Sequence, residues 1–128
     1  MDAVSDFFIR IKNGYRAKKA MVVVPHSKLK AEIARVLQAR GYVGAVEKKG
    51  RRVRKFLELE LRYPSNAPAL ESVRLISKPS RKMYLKKNEI RPVRQGFGLL
   101  IVSTSRGVMS GEEARRAGLG GMAIAEVW

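Results

Sequence analysis

The sequence predicts a mixed α/β chain folded as two small domains packed together. Three observations predict it. Apolar residues recur at helical spacing near the start: Val4, Phe7, Phe8, Ile11 and Tyr15. Leu57, Leu59 and Leu61 alternate with Glu58, Glu60 and Arg62, the period of a half-buried strand. Between these patterns and a second set of strand-like runs lies Tyr63-Pro64-Ser65-Asn66-Ala67-Pro68-Ala69, which carries two prolines and little to pack. It reads as a linker, so the expected domains are 1–64, α-β-α-β-β, and 65–128, mostly β with a short helix.

In the first domain, Asp2 is placed to cap the first helix and Gly14 to weaken its end. Met21 to Val24 is a β-branched run ended by Pro25. Ser27 suits an N-cap, and Leu29, Ile33, Val36 and Leu37 form a second helical stripe that Gly41 would close. Lys48-Lys49-Gly50-Arg51-Arg52 reads as a basic hairpin tip before the leucine strand. In the second domain, Val73 to Ser77 and Met83 to Lys86 look like strands around a turn at Pro79. Leu99-Leu100-Ile101-Val102 is a wholly apolar strand. Ser110 and Glu113 form a capping box for a short helix that stops at Gly118, and Met122 to Val127 is a last strand.

Hydrophobic residues make up 45% of 128 residues, enough for a core. Lys plus Arg is 27 against 11 Asp plus Glu, a net charge of +16. Residues 1–64 hold +10 of it, so the charge is not confined to a tail. Such an excess repels itself unless a polyanion balances it, and each phosphate neutralised on nucleic acid releases counterions. An anionic membrane is the other partner that charge could imply. It would want one basic amphipathic helix, whereas here the cations are spread over strands and turns. No apolar run approaches a membrane span, and the start lacks a signal-peptide pattern. The absence of cysteine excludes disulfides and thiolate metal sites and fits a reducing cytoplasm.

Catalytic chemistry is hard to assemble from these residues. His26 is the only histidine and has no evident second ligand or nucleophile. Glu58 and Glu60 share a strand face with Arg54 and Arg62, a solvated charged face. Gly96-Phe97-Gly98 precedes a strand, while a dinucleotide fingerprint follows one, so a tight turn is expected there. No cofactor and no small-molecule substrate are implied.

Three features can bind. Lys78-Pro79-Ser80-Arg81-Lys82, with Tyr84, Lys86 and Lys87, is a basic turn beside an aromatic; cations meet phosphates and a ring can stack on a base. A solvated hairpin with Tyr84 in the core is the other reading. Ser103-Thr104-Ser105-Arg106-Gly107 places small hydroxyls at the end of a rigid strand, where they suit 2′-OH groups and base edges in a shallow minor groove. Local turn bonds would explain them as well. Gly118-Leu119-Gly120-Gly121 allows close backbone approach or simply a turn.

The ordered set Ile76-Ser77-Lys78-Pro79, Gly96-Phe97-Gly98, residues 101–109, Glu113-Ala114-Arg115 and Gly120-Gly121 resembles the bacterial form of the eighth small-subunit ribosomal protein, the S-eight family. Asp2, Asp6, Arg10-Ile11-Lys12-Asn13 and Pro25-His26-Ser27-Lys28 match as well, so the resemblance runs nearly end to end. It implies a two-domain α/β protein of the cytoplasmic ribosome, a structural constituent and not an enzyme. It further implies binding to the central domain of 16S ribosomal RNA, a role in assembling the subunit platform, and neighbouring ribosomal proteins. In some relatives it implies repression of the protein's own messenger. Carried over by motif, the RNA-binding residues would be Lys12, Asn13, Ser27, Lys28, Arg81, Lys82, Tyr84, Lys86, Ser103, Thr104, Ser105, Gly107, Gly120 and Gly121. Three positions depart from the pattern: Ala3 for a proline, Met122 for Glu, and Glu126 for an aromatic. Met122 is therefore left outside the expected site. A DNA-binding architectural protein would share the charge, but no helix-turn-helix, zinc finger or basic zipper is visible.

Overall fold

A computed structural model describes residues 3–92 and 98–128. The expected Asp2 cap and most of the turn at Gly96-Phe97-Gly98 lie outside those residues. The chain is a mixed α/β fold and divides into two units, Met1–Glu71 and Ser72–Trp128.

The first unit follows the expected order: α1 (Ala3–Arg16), β1 (Met21–Pro25), α2 (Lys28–Ala39), β2 (Val46–Arg51) and β3 (Arg54–Glu60). The strands form an antiparallel sheet in the order β1-β3-β2. Phe7, Phe8, Ile11 and Tyr15 of α1 and Ile33, Ala34, Val36 and Leu37 of α2 are buried with Val22, Val24, Leu57, Leu59 and Leu61. The alternation of the leucines thus points one face of the sheet into the core. The Ser27 hydroxyl accepts from the Lys30 N–H at 3.1 Å and caps α2. At the other end Gly41, at φ +81°, lets Tyr42 N–H reach the Leu37 carbonyl at 2.9 Å and Gly41 N–H reach Gln38 at 3.0 Å.

Three expectations in this unit are corrected. Gly14 does not loosen the end of α1. It is buried inside the helix, where a Cβ would come within 2.5 Å of the Val22 Cγ2, so its smallness lets α1 lie on β1. Lys48 to Arg51 are not the hairpin tip but part of β2; Arg51 faces Arg54 across a two-residue turn at Arg52-Val53. The presumed linker is folded onto the first unit. Pro64–Asn66 form a short 3-10 turn, the Tyr63 ring meets Tyr15 edge-on at 5.3 Å, and Tyr63 Oη donates to the Lys19 carbonyl at 2.7 Å. Ala69 N–H donates to Arg62 O at 2.9 Å and Leu70 is buried. The division between units therefore falls after Glu71, not at the 64/65 boundary set by the prolines.

The second unit contains β4 (Val73–Leu75), β5 (Tyr84–Leu85), β6 (Leu99–Thr104), β7 (Gly107–Ser110), α3 (Gly111–Arg116) and β8 (Gly121–Val127). Its sheet runs β4-β8-β6-β7, and β5 also pairs with β8. Val73 to Ser77 and Met83 to Lys86 thus each hold a strand, on either side of a turn at Pro79-Ser80, but the two strands do not pair with each other. Both β4 and β5 lie along the same edge of β8, and the chain arches out between them. Beneath the sheet, Ile90, Leu100, Val102, Ala114 and Ala123 form a core flanked by Ile76, Leu85, Met109 and Trp128. Ser110 caps α3: its hydroxyl accepts from Glu113 N–H at 3.1 Å and donates to the Glu113 carboxylate at 3.2 Å. Gly118, at φ +71°, ends α3 as expected.

Candidate nucleic-acid interface

The second unit's strand register assembles most of the expected site. Tyr84 of β5 faces Met122 of β8, Met122 faces Ser103 of β6, and Ser103 faces Val108 of β7. Directly paired residues point to the same side of a sheet. The four make one row, on the side opposite Val102, Ala123 and Leu85. A bulge sets this up: Ile101 faces Ala125 but Val102 faces Ala123, so Ile124 is extra and β8 is re-aimed beyond it. Tyr84 stands 69% exposed, which decides between its two readings: the ring is not a core residue. Ser103, Val108 and Met122 are half-buried.

The hydroxyl run is not a loose loop. Ser103 and Thr104 belong to β6, and only Ser105-Arg106 turn the chain into β7. Thr104 Oγ1 donates to the Gly107 carbonyl at 2.8 Å and accepts from Arg106 N–H at 3.1 Å. Gly107, at φ +108°, supplies the left-handed residue that the turn needs. One of the three hydroxyls therefore makes local turn bonds, as a structural role would have it. Those of Ser103 and Ser105 make no bond among the described residues, and Ser105 is exposed at the tip beside Arg106.

The basic turn sits on the arch next to this row. Lys78 N–H donates to Arg81 O at 2.8 Å, and Arg81 N–H donates back to Lys78 O at 3.0 Å. Ser77 anchors the arch: its hydroxyl donates to Ala123 O at 2.5 Å and accepts from Met83 N–H at 3.0 Å. Lys78, Arg81 and Lys82 are exposed, and among the described residues no carboxylate pairs with them. Lys86, also exposed, is held by its N–H bond to the Glu89 carboxylate at 2.8 Å. Rigid backbone and free cations together suit phosphate contact.

Gly120 and Gly121 have an internal reason to be glycine. A Cβ on Gly121 would overlap the Ser103 carbonyl oxygen, and one on Gly120 would overlap that of Leu85. They let β8 pass between β5 and β6 and so hold Tyr84, Met122 and Ser103 in line. The expected residues of the first unit are less gathered. Lys12 and Asn13 stand on α1, Asn13 lining a groove with Arg10, Lys19, Met21 and Val23. Lys28 is exposed at the first position of α2, and the Ser27 hydroxyl is engaged as its cap. No bond joins the two pairs among the described residues.

Met122 is the residue that sequence reasoning left out and the sheet places at the centre of the row. The signal was available in the strand 122–127, but only the pairing of β8 with both β5 and β6 reveals it.

A profile of the ribosomal protein S8 family matches residues 2–128. The chain belongs to the ribosomal protein S8 family. It is similar to the small ribosomal subunit protein uS8 of Coprothermobacter proteolyticus, 43% identical over 99% of this chain and 98% of that one. The uS8 of Acinetobacter baylyi is 44% identical over 98% and 96%, and that of Acidobacterium capsulatum 42% identical over 99% and 97%. Membership in this family makes the chain a structural component of the ribosome and not an enzyme. Among the described residues no helix is long and apolar enough to cross a membrane.

Proposed function

We propose that this chain is a constituent of the small ribosomal subunit that binds directly to the central domain of 16S ribosomal RNA and helps to assemble the subunit platform. The observation that carries the reading is the row Tyr84–Met122–Ser103, bordered by the Ser105-Arg106 tip and the unpaired cations at 78–82. Family membership supports the subunit. The row supports RNA over DNA, because small hydroxyls and one exposed ring fit a shallow minor groove and an unstacked base. Tyr84 stacks, Ser103 and Ser105 bond to 2′-OH groups or base edges, and Arg81, Lys82, Lys86 and Arg106 meet phosphates. Thr104, Gly107, Gly120 and Gly121 hold these groups in place. Lys12, Asn13 and Lys28 extend the basic surface on the first unit, and neighbouring ribosomal proteins complete the environment in the cytoplasm.

Binding of the full chain to a transcript of the 16S central domain tests this. Arg81→Ala with Lys82→Ala should weaken binding and lower the log–log salt slope by about one or slightly less per lost contact. Tyr84→Ala should cost roughly 1–3 kcal/mol. Equal affinity for the transcript and for duplex DNA of the same length would overturn the reading.

A further inference from the structure

The first unit carries a cleft that none of the residues assigned so far explains. Ala31, Arg35 and Gln38 fall on one stripe of α2, beside the buried stripe of Ile33, Ala34 and Leu37. Across from them stand Val46 and Lys48 of β2 and Leu57 of β3, which together with His26 complete the lining. Strand alternation explains why. Lys48 faces Leu57 in the register and shares its helix-facing side, while Glu47, one residue earlier, faces Glu58 on the other side of the sheet. The acid of β2 is thus turned away and its lysine turned in. The floor is apolar, made of Ala31, Val46 and Leu57, and Ala31 leaves it open because its side chain is one methyl group. The rim is Arg35, Gln38, Lys48 and His26, with no carboxylate.

We infer that this cleft between α2 and β2 seats a phosphodiester and its ribose from the RNA backbone, with Arg35 and Lys48 on the phosphate and Gln38 on the sugar hydroxyl. The inference rests on the RNA-binding reading above and adds a contact separate from the row on the second unit. A cationic rim around an apolar floor matches the two halves of a backbone nucleotide, charged phosphate and largely apolar sugar. A glutamine amide both donates and accepts, as a 2′-OH requires. No carboxylate is among the residues that line the cleft, and His26 on its rim lies among cations. Partial desolvation, then Lys48, Lys55 and Lys30, hold its imidazole below the ordinary histidine range. One of these cations is held in place: the buried Lys30 Nζ donates to the Pro25 carbonyl at 3.2 Å, and His26 is tied to β3 through its main-chain N–H, which donates to the Lys55 carbonyl at 3.0 Å. Lys30 cannot swing away, and a phosphate in the cleft relieves the repulsion among the cations around His26.

The chain has no cysteine, so a single introduced thiol can carry a tethered iron chelate that cuts nearby RNA backbone. Arg35→Cys and Ser105→Cys, each labelled and bound to the 16S central-domain transcript, should cut at two distinct places. Arg35→Ala with Lys48→Ala should lower the log–log salt slope by about two or slightly less, with the melting temperature little changed. The wild-type His26 titration, followed by NMR, should move to higher pH when the transcript is bound. If Ser105→Cys cuts while Arg35→Cys does not, and slope and titration stay put, the cleft proposal is overturned and the RNA reading stands. If polyglutamate moves the His26 titration as far as the transcript does, the cleft selects acidic peptide and the proposal fails. If the transcript binds to none of the proteins, both readings fail together.

Discussion

Two hairpins in this chain each close with a two-residue turn, and the two turns are built in opposite ways. The β2–β3 turn is Arg52-Val53, between Arg51 and Arg54. Two like charges face each other across it, Arg52 sits at φ +52°, and Val53 is 96% exposed. Only repulsion and a left-handed residue with a Cβ are concentrated there, costs that a protein tolerates for charge held out toward solvent. The β6–β7 turn is Ser105-Arg106, between Thr104 and Gly107. Its left-handed residue is a glycine, and one threonine hydroxyl braces both sides of the turn. The first hairpin projects charge, which attracts any polyanion. The second holds two hydroxyls that make no bond among the described residues, and under the function proposed above these would reward only a partner of the right shape.

The largest expected effect lies beneath the braced turn. Gly121→Ala places a Cβ on the Ser103 carbonyl, so β8 must part from β6. The cost should be about 1–3 kcal/mol of folding stability, and binding to structured RNA should fall with it. Calorimetry and RNA titration check both; an unchanged melting temperature would show that β8 has room to spare. Thr104→Val keeps the shape and removes the brace. It should cost about 1 kcal/mol of stability and weaken structured RNA binding more than binding to an unstructured strand. If both RNAs respond alike, the brace does not shape the tip.

Much of this molecule was legible because its signals are local. The leucine alternation at 57–61, the Ser27 and Ser110 caps and the Gly41 and Gly118 stops each depend on neighbours a few residues away, and each appears where expected. The misreadings involve partners far along the chain. Pro64 and Pro68 suggested a linker, but Tyr63 reaches back to Tyr15 and Lys19. Val73 and Tyr84 do stand in strands on either side of a turn at Pro79, but that both strands pair with the distant β8 and not with each other was not legible. Gly107-Val108-Met109-Ser110 is too short to advertise itself as a strand. In the candidate site the same rule holds. The hydroxyls and the basic turn could be named from sequence, while the row that unites Tyr84 with Ser103 required Met122 between them.

The smallest effect is expected at the charged turn. Arg52→Gly removes one charge and relieves the left-handed strain, so the free protein should gain up to about 1 kcal/mol. RNA affinity should fall uniformly across sequences and shapes, with the salt slope lower by about one or slightly less. Loss of discrimination between structured and unstructured RNA would contradict a purely electrostatic role for this turn.

The division of labour between attraction and shape is tested most directly by Ser105→Ala, which removes one hydroxyl and no charge. The ratio of its affinities for the 16S central-domain transcript and for an unstructured RNA of equal length is the quantity to measure. A hydroxyl buried against RNA should cost roughly 1–3 kcal/mol when lost, about 5- to 150-fold in affinity. The predicted result is a loss of that size for the transcript alone, with the salt slope and the melting temperature of the free protein unchanged. An equal loss for both RNAs, or a drop in melting temperature without RNA, would contradict it.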